Sequence, residues 1–424
     1  MRNTVAMRAD WFRRALVPCL AAVFACGSPP PPVEAPQPKP KTAEPVAKAA
    51  EPPSAAKPLA LEGGGKNYAD EVKILYRFVT CGGDAAVKPE LAAAIEEHCR
   101  ELAPKIDAYK KDWLYVARPF LTSLVPAEVP KKVVYPFAGG DNTTMLTTYP
   151  NADEYTTVSL ELSGDLRRVR DIQPKTLIAT LRKLRVRLDE LYGESKFSMS
   201  ETLQKMMTGE LPQELSFHMV GLAIHDLEPV SLRYFRLEQD GAVHYFSEEE
   251  LAKETGTAAR RARTWQDGDF PEAFSHVEIG FKPKGKEGPV RFHRHIAFNL
   301  DNPHMKNDPS LSAHLAAKGD VSMMIKAASY LLWRHDFSRI REYVLKHAAF
   351  IVSDSTAPLP KDADFRGYVQ EVWGSFSGPR IPTTEDGAKE MKRFWAAKPE
   401  RPLSFRFGYL DRSDKPHLMV TRRK

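Results

Sequence analysis

Leu177, Leu181, Leu184, Leu188 and Leu191 recur at spacings of three and four, the period of a helix with one buried face. Pro174 suits the first turn of that helix and Gly193 its stop. Its other face carries Arg182, Lys183, Arg185 and Arg187 and reads as solvated. Pro89 opens a second helix that runs past Leu102, with Leu91, Ile95, Cys99 and Leu102 on one stripe. Elsewhere the period is two. Ser231–Phe246 reads as a hairpin turning at Gln239-Asp240-Gly241, and a second hairpin runs from about Phe274 to Phe298 around Lys282-Pro283-Lys284-Gly285-Lys286. Val133–Phe137, a glycine turn, a short helix from Asp141, and Tyr155–Glu161 form a strand–turn–helix–strand unit. Helices are expected near Val321–Trp333 and Ser338–Ala348, a strand at Phe350–Val352, and two more strands at Leu403–Tyr409 and His417–Thr421. Such mixing predicts an α/β fold: a mixed sheet flanked by helices, with an antiparallel hairpin-rich insertion.

The first residues follow a different pattern. Arg2, Arg8, Arg13 and Arg14 precede an apolar run from Ala15 to Ala25, too short to span a bilayer. A positive region before a short apolar one is the pattern of a signal peptide, expected over residues 1–25. The run ends Val23-Phe24-Ala25-Cys26, which resembles the lipobox of bacterial lipoproteins. That resemblance implies cleavage before Cys26 and a lipid on its sulfur. Gly27 and Ser28 follow, with no aspartate, which by the same resemblance implies delivery to the outer membrane. From Ser28 to about Ala60 the chain is mainly Pro, Ala, Lys and Glu. It lacks the large apolar residues a core needs. Extended at ~3.1 Å per residue, it would reach roughly 100 Å. Residues 26–66 are therefore expected to be a lipidated tether, with Gly63-Gly64-Gly65 as a flexible joint, ahead of a single globular body over 67–424 or two tightly packed subdomains.

Cys19 lies inside the leader and Cys26 would carry lipid, which leaves Cys81 and Cys99 for the body. Two cysteines in an exported body are most simply a disulfide. Charge adds little. The leader holds four arginines and one aspartate, so half of the formal net charge of +6 leaves with it. The remainder is too weak a bias to imply nucleic acid as a partner. The expected partners are the membrane, through the lipid anchor, and an envelope ligand or protein.

Several segments resemble a family of uncharacterised predicted bacterial lipoproteins: Val134-Tyr135-Pro136-Phe137-Ala138-Gly139-Gly140-Asp141, Tyr149-Pro150-Asn151-Ala152, Leu160-Glu161, Ile325-Lys326-Ala327-Ala328-Ser329-Tyr330-Leu331, Ser353-Asp354-Ser355 and Phe405-Arg406-Phe407-Gly408-Tyr409. Their order spans most of the body. The resemblance implies export and one shared fold, and it brings no chemistry.

Three constellations bear on function. The Pro136-Phe137-Ala138-Gly139 turn also looks like that of class I methyltransferases, in which an acid ending the second strand, here Glu161, holds a ribose. Against that role, the turn lacks G-x-G-x-x-G spacing, and Asp141 at the helix start would cap the helix and repel an anion. Ser322, Lys326 and Ser329 fall on one stripe of the apolar run 321–333. If that stripe is buried, the lysine needs a partner, for which Asp354 is the candidate, and an envelope hydrolase or metalloenzyme with its site there or at the histidines of the second hairpin is the alternative to a binding module. Finally, His276-x-Glu278 and His293-x-His295 stand on the two strands of the second hairpin, and the apolar pattern expects all four on one face. That set reads as a wet sheet face with a cross-strand His–Glu pair, the alternative being a zinc, iron or manganese site. No cofactor is expected, and no G-x-S-x-G, H-E-x-x-H or P-loop motif occurs.

Overall fold

A computed structural model of the chain describes residues 63–192, 211–254, 272–379, 383–408 and 415–424. The leader, Cys26, the tether up to residue 62 and Tyr409 lie outside them. Among the described residues ten strands make one mixed sheet: β1 (Lys132–Pro136), β2 (Glu154–Ser159), β3 (Leu227–Leu237), β4 (Val243–Tyr245), β5 (His276–Pro283), β6 (Arg291–Ala297), β7 (Val321–Ile325), β8 (Ala348–Ser353), β9 (Tyr368–Gly374) and β10 (His417–Arg423). Their order is β4-β3-β5-β6-β2-β1-β7-β8-β10-β9. The centre, β6-β2-β1-β7-β8, is parallel. Antiparallel pairs flank it: β3, β4 and β5 on one side, β9 and β10 on the other. This is the expected α/β architecture with its hairpin insertion. The chain goes from β1 to β2 on one side and later returns to β7 on the other, so a topological switch point lies between β1 and β7 at their carboxyl ends.

Helices cover both faces. On one, α1 (Ala69–Thr80), α2 (Ala92–Tyr109), α3 (Tyr115–Leu124), α4 (Asn142–Thr148), α5 (Pro174–Tyr192) and α6 (Gln213–Ile224) pack over Val133, Tyr135, Tyr155, Ile279 and Val352. On the other, α7 (Ser338–His347) and α8 (Glu385–Ala396) bring Ile340, Val344, Met391 and Trp395 against Val134, Val158, Met323 and Ile351. Adjacent strand residues thus enter opposite cores, as the pleat requires. Each fully buried side chain of this kind contributes about 1.5–3 kcal/mol. No helix among the described residues is long and apolar enough to cross a membrane.

Several expectations hold locally. Asp141 caps α4, accepting a hydrogen bond from the Thr144 amide at 3.1 Å. Pro174 is the first residue of α5. Cys81, which ends α1 in the left-handed region at φ 63°, is bonded to Cys99 of α2, with Cα atoms 5.6 Å apart. In the chain-entropy view that cross-link contributes about 3 kcal/mol.

Four expectations are corrected. The run 321–333 is not one helix. Val321–Ile325 is a strand, every residue of it buried, followed by a 3-10 turn over Ala327–Trp333. A strand buried on both faces shows no alternation, so its pattern is that of a buried helix. With the helix goes the stripe: Ser322 donates to the Pro130 carbonyl, far from Lys326. Residues 403–408 form no strand. Arg185 is not on a solvated face. It is buried against α2, its Nε 2.8 Å from Glu101. Gly63–Lys66 belongs to the body rather than to a free joint: Arg233 donates to the Gly64 carbonyl at 3.0 Å, and the Lys66 amide donates to Phe246 at 2.8 Å. Gly65, at φ 82°, lies so close that a Cβ there would stand 2.5 Å from Tyr245 Cβ.

Candidate functional site

Two polar constellations lie near the switch point. The first is at the carboxyl ends of β1, β7 and β8. After β1 the chain passes through Phe137, a left-handed residue at φ 59°, and Gly139 to reach Asp141. One Asp141 oxygen accepts from the Thr144 amide and hydroxyl, the latter at 2.8 Å. The other accepts from Lys326 Nζ at 3.1 Å and from Tyr135 OH at 3.3 Å. Lys326 Nζ also donates to Thr144 Oγ1 at 3.1 Å and lies over the Phe407 ring. Its side chain is 17 % exposed and that of Asp141 23 %. Burial, then the charges of Asp141 and Asp354, hold the Tyr135 hydroxyl well above its ordinary pKa, so it stays protonated.

The observed ion-pair partner of Lys326 is therefore Asp141, across the switch point. Asp354 is fully buried and binds its own turn, accepting from the Thr356 amide at 2.8 Å and from its hydroxyl. Ser329 donates back to the Lys326 carbonyl at 3.0 Å. In this constellation Asp141 and Lys326 satisfy each other. They tie the carboxyl end of β1 to that of β7.

The second constellation is buried under α6. The β5–β6 register pairs Val277 with His295 and Ile279 with His293. Directly opposed residues share a face, so His293 and His295 point to the α6 side with Val277 and Ile279, and His276 and Glu278 point the other way. The expected set of four on one face is thus split in two. The one-residue offset between the pairs decides it. Glu278 is committed elsewhere. It accepts from Arg233 at 2.5 Å, from Arg294 Nε at 2.9 Å and from Tyr245 OH at 2.6 Å. With both oxygens so engaged, it has little left for a metal ion. His276 Nδ1 accepts the Ala297 amide at 3.1 Å. No wet face exists on either side, since all three histidines and Glu278 are buried or largely so.

What faces His293 and His295 came from residues the sequence reading missed. α6 places Glu214 and His218 one turn apart, with Glu214 Oε1 3.5 Å from His218 Nε2. The His218 ring meets His293 at 4.5 Å and His295 at 5.2 Å between centroids. Donor atoms of Glu214, His218 and His295 all lie within 4.8 Å of one another. Thr157 of β2 joins the two strand histidines, its Oγ1 2.9 Å from His293 Nε2 and 3.1 Å from His295 Nδ1. His295 Nε2 donates to the Glu161 carbonyl at 2.7 Å, which leaves Nδ1 as the nitrogen with a lone pair. Glu161 closes the cluster. Its carboxylate charge is the second cause, after burial, that pushes the Glu214 carboxyl well above the usual range. Burial, then His293 and His295, holds His218 well below the usual imidazole range, and His293 is pushed down to about 3 by burial and His295.

Glu161 is thus no ribose ligand in an open crevice. It is 1 % exposed, and α6 is packed onto the glycine turn itself: a Cβ at Gly140 would touch Phe217 at 3.3 Å. A sequence signal for α6 existed. Glu214-x-x-x-His218 interrupts an otherwise apolar helical run through Leu215, Phe217, Met219, Val220 and Leu222. An open groove of about 470 Å³ also lies on the other face, lined by Met305, Leu315, Arg339, Tyr343, Lys346 and His347. Comparison with protein-family models, with curated proteins and with solved structures finds no match.

Proposed function

We propose that the chain is an exported lipoprotein, anchored through Cys26 to the outer membrane, whose body is a binding module of the cell envelope for a small ligand or protein partner. The observation that carries this reading is the Cys81–Cys99 bond between α1 and α2. Such bonds persist in oxidising compartments and are rare in the cytosol. The leader pattern before Cys26 and the Pro/Ala-rich stretch after it supply the route and the tether. Binding is favoured over hydrolysis because Asp141 and Lys326 neutralise each other, while the groove beside Tyr343 brings Met305 and Leu315 together with Arg339, Glu342 and Lys346. Fractionation of cells that express the full chain tests the anchor. The parent chain should incorporate labelled palmitate and sediment with the envelope, and Cys26→Ala should lose both label and sedimentation. Recovery of both forms in the cytosol, unlabelled, would overturn the reading.

A further inference from the structure

The cluster under α6 poses a physical problem that the binding reading does not solve. Glu161, Glu214 and His218 are 1 %, 2 % and 0 % exposed. Among the described residues, both oxygens of Glu161, Oε1 of Glu214 and both ring nitrogens of His218 have no hydrogen-bond partner, the nearest approach being the 3.5 Å between Glu214 Oε1 and His218 Nε2. A buried polar group without a partner destabilises the fold, and a charged one does so more strongly. Two carboxylates and a group of imidazoles, all acceptor-capable, converge where one cation would satisfy them together.

We propose that Glu214, His218 and His295 bind one divalent transition-metal ion, zinc in the first instance, with the Glu161 carboxylate beside them balancing its charge. The donors come from rigid elements on two sides: two from one turn of α6 and one from β6 in the middle of the sheet. Their mutual distances, within 4.8 Å, allow all three to reach a single ion. The donor set is nitrogen and oxygen without thiolate, few in number and shielded from water. It suits zinc or iron(II) rather than calcium or magnesium, which demand six or more oxygens. Two anionic carboxylates match one dication. One contact of the kind that orients a metal-bound imidazole is present: the Glu161 carbonyl accepts from His295 Nε2, which leaves Nδ1 to face the ion, while the Thr157 hydroxyl can turn to His293.

The test is metal analysis of the full chain purified from membranes, followed by thermal unfolding with and without added zinc. The expected result is about one zinc per chain and a higher unfolding temperature with the ion. Glu214→Gln and His218→Gln should each abolish both effects. His218→Leu should also remove the ion, yet leave the metal-free protein at least as stable as the parent, because an orphaned polar ring has been replaced by an apolar group. His276→Gln, on the other face of β5, should leave zinc binding intact. Two results would overturn the proposal: no bound metal and no thermal shift at equimolar zinc or iron(II), or zinc binding that survives both Glu214→Gln and His218→Gln. A parent chain recovered without lipid on Cys26 but with its zinc would overturn the envelope reading alone.

Discussion

At the scale of single residues, burial decides what the polar groups can do. His98, His314, His225 and His276 all lie in low-dielectric surroundings, and each is held neutral in the fold. His314 shows the consequence. Its Nδ1 donates to the Gly241 carbonyl at 3.0 Å, and burial, then Lys318, pushes its pKa down to about 4 from an ordinary 6.5, with Arg294 adding to the shift and Glu154 opposing it. The unfolded chain takes up a proton near pH 6.5 that the folded chain refuses until about pH 4. The stabilising contribution is therefore complete above pH 6.5 and is lost as pH falls through the window down to about 4. We expect stability to drop across that window, with His314→Gln lowering the slope near pH 5 by about 1.4 kcal/mol per pH unit. Urea melts at several pH values check this, and equal slopes for parent and variant would contradict it. Glu278 makes the same point from the other sign of charge: a carboxylate enclosed by Arg233, Arg294 and Tyr245 is a brace before it is a ligand.

At the scale of elements, α6 is the piece that makes the site. It packs so closely on α4 that a Cβ at Gly221 would stand 2.0 Å from Asn142 Oδ1, and Asn142 Nδ2 already donates to the His218 carbonyl at 3.2 Å. Gly221→Ala should therefore destabilise the protein by about 1–3 kcal/mol, overpacking outweighing a helix-propensity gain of roughly 1 kcal/mol. A lower midpoint of chemical unfolding is expected, and a raised midpoint would show that α6 sits more loosely than described. Elements with one buried face were readable in advance: α5 from its leucines, the two hairpins from their alternation, β1 and α4 from Asp141 at the turn. Elements buried all round were not. β7 read as a helix because Val321–Ile325 has no polar side, and α6 has no polar stripe beyond Glu214 and His218. The candidate site failed in advance for a related reason. The sequence points to His293 and His295, but the hairpin register that turns His276 and Glu278 away is set by pairing. The partners on α6 are remote in sequence, joined to the histidines only by the packing of a helix on the sheet.

At the scale of the whole molecule, the proposal joins three parts: a sequence expected to act as leader and lipid box, a long proline-rich stretch, and an α/β body that carries the Cys81–Cys99 bond. Within the body two helical layers enclose a ten-stranded sheet, and the polar residues that matter lie at one edge of its parallel core. The proposed export rests on two independent features, one a disulfide between helices and the other a charge and hydropathy pattern at the amino-terminal end. The intact mass of protein extracted from its native envelope tests them together most directly. We predict a chain that starts at Cys26, carries the added mass of a diacylglyceryl lipid, and is two hydrogens lighter for the Cys81–Cys99 bond. A chain still starting at Met1, with its four cysteines all open to alkylation without reductant, would contradict it.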